Sequence, residues 1–149
     1  MKIEDEIKQS KFKDPFQKVA INLLFTAKWL EANNNDFFKA FAVTGQQFNI
    51  LRILRGQHPN SISAAAIKER MLDKNSDVSR LLDRLIDKKF ITKTQCPSDK
   101  RAADVKITDS GLKLLSKIDQ HMEKTDSKLF NLTTKEASQL SDLLDKCRG

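Results

Sequence analysis

The densest set of hydrogen-bonding side chains at helical spacing lies just past the middle of the chain. From Asn75 onward, Ser76, Asp77, Ser79, Arg80, Asp83 and Arg84 alternate with Val78, Leu81, Leu82, Leu85 and Ile86. The apolar set repeats every three or four residues, the spacing of one buried helix face, so the polar set must look outward. Ser, Asn and Arg side chains near a helix N-terminus can reach donors and acceptors on base edges, and the helix dipole there favours phosphate. A second polar run, from Pro97 through Ser98, Asp99, Lys100 and Arg101 to Asp104, separates two short β-type segments, 90–95 and 105–108. This pattern predicts a hairpin with a long basic tip, suited to an adjacent minor groove where negative potential is concentrated.

Charge placement agrees with that chemistry. Lys and Arg number 27 against 20 Asp and Glu, a formal charge of +7. Between Lys68 and Lys106 there are 11 basic and 7 acidic residues, so over half of the surplus falls on this segment. Other chemistries lack their residues. The four glycines form no phosphate-cradling loop, and neither a Ser-His-Asp nor a zinc-binding motif is present. His58 and His121 are far apart, and Cys96 and Cys147 make no disulfide framework. Neither enzyme activity, metal nor cofactor is expected. No apolar run approaches the ~20 residues of a membrane span, and the start Met-Lys-Ile-Glu-Asp-Glu lacks a signal-peptide apolar stretch. The expected location is the cytoplasm, with no membrane partner.

The elements that must position these side chains are mostly helices. Asp14-Pro15 opens a long helix carrying Phe16, Val19, Leu23, Ala27 and Leu30, which the polar run Glu31–Asp36 is expected to end. Thr44 with Gln47 forms a capping box. Ser63 can cap an Ala-rich helix, with its hydroxyl and the helix-start N–H groups available to a phosphate. Asn75 is the expected cap of the next helix. Thr108 can start another long helix with Leu112, Leu115, Ile118 and Met122 on one face. Thr133 and Glu136 box a last one, expected to bury Ala137, Leu140, Leu144 and Cys147.

The expected fold class is therefore mainly α with a small β-hairpin. Over about 43–110 the order is helix, short strand, helix, turn, helix, hairpin, which suits a winged helix-turn-helix. A module at 43–110 would be flanked by terminal helices at 1–42 and 111–149 in one continuous unit. Their apolar faces exceed what a small winged module can cover, pointing to a homodimer.

The run Val78-Ser79-Arg80-Leu81-Leu82-Asp83-Arg84-Leu85, followed by a wing that fits D-x-R-x-x-x-V-x-[LI]-T-x-x-G from Asp99 to Gly111, resembles the MarR family of transcriptional regulators. One position departs. Where the family often closes the recognition helix with Gly, this chain has Lys89, so a differently shaped helix end is expected. The resemblance implies a symmetric dimer with interlocked terminal helices that reads pseudo-palindromic double-stranded DNA, and a repressor released by a small ligand. It implies a recognition surface of Asn75, Ser76, Asp77, Ser79, Arg80 and Arg84, and wing contacts from Ser98, Lys100 and Arg101. Asp99 would brace the wing, and Asp83 would hold Arg84 or Arg101. Relatives bind small, often aromatic ligands between the dimerisation helices and the DNA-binding module. Phe25, Trp29, Phe37, Phe41 and Phe48 could line such a pocket, or simply pack as core. The alternative function is a winged-helix protein-interaction adaptor without specific DNA binding.

Overall fold

The computed structural model describes the backbone of residues 1–96 and 99–149, and their side chains except at 95, 96, 99–103 and 124–128. The order of elements is α1 (Ile3–Glu6), α2 (Pro15–Lys39), α3 (Gly45–Arg55), β1 (Ile62–Ser63), α4 (Ala64–Arg70), α5 (Val78–Asp87), β2 (Ile91–Cys96), β3 (Asp99–Ile107), α6 (Asp109–Phe130) and α7 (Thr134–Arg148). The strands form one antiparallel sheet with β3 between β1 and β2, and Val105 stands opposite Ile62 and Lys93. The winged helix-turn-helix arrangement is thus present, with a third short strand added to the hairpin.

α3 is the hub. Its capping box forms as expected, with Thr44 Oγ1 accepting from Gln47 N and Gln47 Oε1 accepting from Thr44 N. Phe48, Ile50, Leu51 and Leu54 are buried, and α3 packs against α2, α4, α5, α6 and β3. Ile67, Leu82, Leu85, Ile91, Val105, Leu115 and Ile118 complete the core around it. Burial of this kind contributes about 1.5–3 kcal/mol per large aliphatic side chain.

Three expectations, two about element ends and one about burial, are corrected. First, α2 does not end in the polar run Glu31–Asp36 but continues to Lys39. Asn33 Nδ2 donates back to the Trp29 carbonyl, and Phe38 is buried with its ring 4.5 Å from that of Phe48, so packing outweighs the local polar signal. Second, β3 begins at Asp99, which places the backbone of Lys100 and Arg101 in a strand instead of a long tip. Third, α7 buries none of Ala137, Leu140, Leu144 or Cys147 to core level; Leu143 is 60% exposed and Leu144 is half-buried.

The end of α5 also differs from expectation. Lys89 has φ +61°, Lys89 N donates to the Ile86 carbonyl and Phe90 N to the Leu85 carbonyl, which is a Schellman ending with lysine in the left-handed position usually given to glycine. Two further bonds seat α6 on this turn. Thr108 N donates to the Phe90 carbonyl, and Thr108 Oγ1 donates to the Lys89 carbonyl while accepting from Gly111 N. A Cβ on Gly111 would stand 2.4 Å from the Phe90 carbonyl oxygen and 2.7 Å from Ile107 Cγ1, so the last two specified residues of the wing pattern, Thr108 and Gly111, are a helix cap and the close approach it permits.

Before α2, residues 1–14 fold back as a hook. Ile3 is buried, Glu4 accepts from Lys18 Nζ, and the Lys18 ammonium lies 5.7 Å from the Phe12 ring centre. The hydrogen bond from Lys18 holds the Glu4 carboxyl below the usual glutamate range. Because the folded value is depressed, the pair's contribution is present above the ordinary glutamate pKa and is lost as pH falls through the folded value. Protection of the hook's amides relative to their intrinsic exchange rates should therefore fall on acidification, and Glu4→Gln should remove that dependence. In chemical denaturation, Gly111→Ala should destabilise by about 1–3 kcal/mol, through overpacking. Lys89→Gly should stabilise by about 1 kcal/mol, by relieving the left-handed residue.

Candidate nucleic-acid interface

α5 begins at Val78, and its cap is Asp77, whose Oδ1 accepts from Arg80 N at 3.1 Å. Asn75 is not the cap. The apolar stripe starts at Val78, and a cap stands immediately before the stripe, so the sequence signal favoured Asp77. Asn75 instead closes an Asx turn, its N–H donating to Asp73 Oδ1 at 2.9 Å.

The turn between α4 and α5 is held from outside by α3. Gln46 Nε2 donates to Asp73 Oδ2 at 2.9 Å and reaches Ser76 Oγ at 3.3 Å, while Asn49 Oδ1 accepts from Leu72 N at 2.9 Å. Ser76 Oγ in turn donates to the Asp73 carbonyl at 2.8 Å. Ser76 is 6% exposed, so it belongs to this clamp and is not on the outward surface where the helical period placed it. The period failed because Ser76 precedes the helix. Gln46, Asn49 and Asp73 were missed as positioning residues; Asp-x-Asn at 73–75 was a readable Asx-turn signal, whereas the partners on α3 are 23 to 30 residues away in sequence.

What remains outward on α5 and the turn before it is Asn75, Ser79, Arg80, Asp83 and Arg84, all exposed, with Val78, Leu81, Leu82 and Leu85 buried behind them. Asp77 is exposed too, but its carboxylate is engaged as the cap. No ion pair joins Asp83 to Arg84 among the described residues. Ser63 caps α4, its Oγ accepting from Ala66 N at 3.1 Å, and is half-buried. Ser98 lies outside the described residues, as do the side chains of Asp99, Lys100 and Arg101.

A cavity of about 550 Å³ opens between the end of α2 and α5, lined by Asn35, Lys39, Ala42, Val43, Thr44, Gln47, Arg84, Asp87 and Lys88. None of the five aromatic residues expected at a ligand site lines it. Phe37, Phe41 and Phe48 pack instead into the aromatic side of the core, and Trp29 meets Phe130 edge-on at 6.5 Å. Among the described residues no group of three His, Cys, Asp or Glu could hold a metal ion, and no helix is long and apolar enough to cross a membrane.

The MarR family model matches residues 43–103, the segment from α3 into the wing. The multiple antibiotic resistance protein MarR of Salmonella typhimurium is 30% identical over 118 residues, 75% of this chain and 78% of that protein. The chain belongs to the MarR family. A MarR transcription factor from Planctomyces limnophilus superposes with a TM-score of 0.71 at 30% identity, covering 91% of this chain and 98% of that one. A mutant MarR from E. coli complexed with operator DNA superposes with a TM-score of 0.73 at 25% identity over 91% and 99% of the two chains. MarR-family proteins are transcription factors and not enzymes, and this chain is accordingly a winged-helix transcription regulator.

The separation of clamp from outward face can be measured. Ser76→Ala should cost about 1 kcal/mol in chemical denaturation by removing hydrogen bonds of a buried hydroxyl, whereas Ser79→Ala, at an exposed position, should stay within about 0.5 kcal/mol of wild type.

Proposed function

We propose that this MarR-family regulator works as a homodimer, with α5 of each copy in the major groove of one half of a pseudo-palindromic operator and the β2–β3 wing at the neighbouring minor groove. The observation that carries this reading is the two-sidedness of α5. One side is closed into the core, and the other presents Asn75, Ser79 and Arg80 beside a turn clamped from α3. Such a face, at the start of a helix, suits base edges within a groove about 12 Å wide. The similar E. coli MarR complexed with operator DNA supports an operator duplex as the partner.

Dimerisation is supported by what one chain leaves uncovered. Phe16 is 84% and Leu24 71% exposed on α2, and Leu140 and Leu143 are exposed on α7. A second copy packed on these faces would remove them from solvent and give a two-fold assembly with two α5 helices.

Repression, relieved by a small ligand, completes the proposal. The cavity between α2 and α5 brings Lys39 and Arg84 together with Thr44, Ala42 and Val43, and with one carboxylate, that of Asp87, a setting that supports a small, partly apolar acid as the ligand. Its occupant would bear directly on α5.

Selection of bound duplexes from a random pool, followed by footprinting, tests the central reading. Two protected half-sites about one helical turn apart are expected; protection of a single half-site at saturating protein would overturn it. Arg101→Ala should weaken operator binding by about 1–3 kcal/mol in a titration at fixed salt if that side chain enters the minor groove. Release of bound DNA by small aromatic acids tests the effector. Absence of duplex binding even at low salt would favour the adaptor instead.

A further inference from the structure

We infer that Lys88 is a positioning residue that ties the recognition helix to the long N-terminal helix and thereby sets the separation and tilt of the two recognition helices. This inference rests on the homodimer reading above.

The argument starts at the end of α2. Ala42 N donates to the Lys39 carbonyl and Val43 N to the Phe38 carbonyl, with Ala42 at φ +56°. This is a Schellman ending with alanine in the left-handed position, so α2 and α5 stop in the same way, each on a non-glycine residue. A left-handed alanine is held against a conformational cost and is expected only where its surroundings over-determine it. Those surroundings include a bond from another helix. Lys88 Nζ, on the residue that caps the C-terminus of α5, donates to the Ala42 carbonyl. The same ammonium stands 3.5 Å from Gln47 Oε1, and Gln47 is 2% exposed and already engaged in the cap of α3.

The electrostatics favour this placement. The carbonyl end of a helix carries partial negative charge, and a lysine ammonium there is stabilising. Lys88 serves two such ends at once, that of α5 and that of α2. Among the described residues it makes the hydrogen bond that joins these two helix ends directly. α2 carries the exposed apolar residues Phe16 and Leu24, and α5 carries the outward face, so a link between their ends fixes one function with respect to the other. Neither Lys88 nor Gln47 belongs to the outward face of α5, so the role is distinct from contact with bases.

The test uses the full-length protein and duplexes bearing two copies of the selected half-site, with the spacing unchanged or altered by one or two base pairs. Wild type should prefer one spacing. Lys88→Met keeps the apolar stem and removes the donors. It should reduce that preference by about three- to tenfold, the range of the net contribution of one ordinary hydrogen bond. Affinity for a single half-site and the slope of affinity against salt should be unchanged, and Lys88→Arg, which restores donors, should recover part of the preference. A uniform loss at every spacing with a salt slope reduced by about one would mark Lys88 as a phosphate contact and overturn the inference. An unchanged spacing preference in Lys88→Met would overturn it as well. Wild type with no spacing preference would defeat the dimer reading itself, and the inference with it.

Discussion

Three backbone segments meet at the carbonyls of Lys89 and Phe90, and most of the functional geometry depends on that meeting. The turn that ends α5 leaves both carbonyls pointing at Thr108, which takes one with its N–H and the other with its hydroxyl. The absent side chain of Gly111 lets the first turn of α6 approach close enough for this to happen. α5, the wing base and the start of α6 are therefore fixed relative to each other by short polar contacts. The left-handed Lys89 is tolerated because the flanking helix end and the docked α6 leave its backbone no better alternative.

A second set of polar contacts works at the other end of α5. Gln46 and Asn49 reach from α3 to the Asp73 turn, so the helix that fills the core also sets where α5 begins. Burial then completes the orientation. α3 packs against α2, α4, α5, α6 and β3, so one close-packed interior joins α5 to the long helices α2 and α6. In contrast, α2 and α7 leave large apolar side chains in water.

Local signals accounted for much of this arrangement. The caps at Asp14, Thr44, Ser63, Thr108 and Thr133 form as the sequence indicates, because each needs only a side-chain oxygen and an N–H three residues on. The stripe Leu115, Ile118 and the set Val78, Leu81, Leu82, Leu85 are buried as their spacing requires. The candidate surface was legible only in part. Asn75, Ser79, Arg80 and Arg84 are outward, but helical period cannot say where a helix starts, so Ser76 was placed on a face that it does not share. Nor could period reveal that Arg84 would line a cavity against α2, since that depends on an element some fifty residues earlier.

What the amino-acid sequence determined by itself was therefore the helices from α2 onward, the hairpin, most helix beginnings and the polar character of one helix face. These follow from interactions within a few residues, where rotamers, caps and periodicity act. Tertiary structure alone decided how far α2 runs, how α5 ends, and which partners hold Ser76, Asp73 and Lys88. In each case the deciding contact lies 18 or more residues away in the chain, or is a packing surface that forms only on folding, and it outweighs a local preference of about 1 kcal/mol.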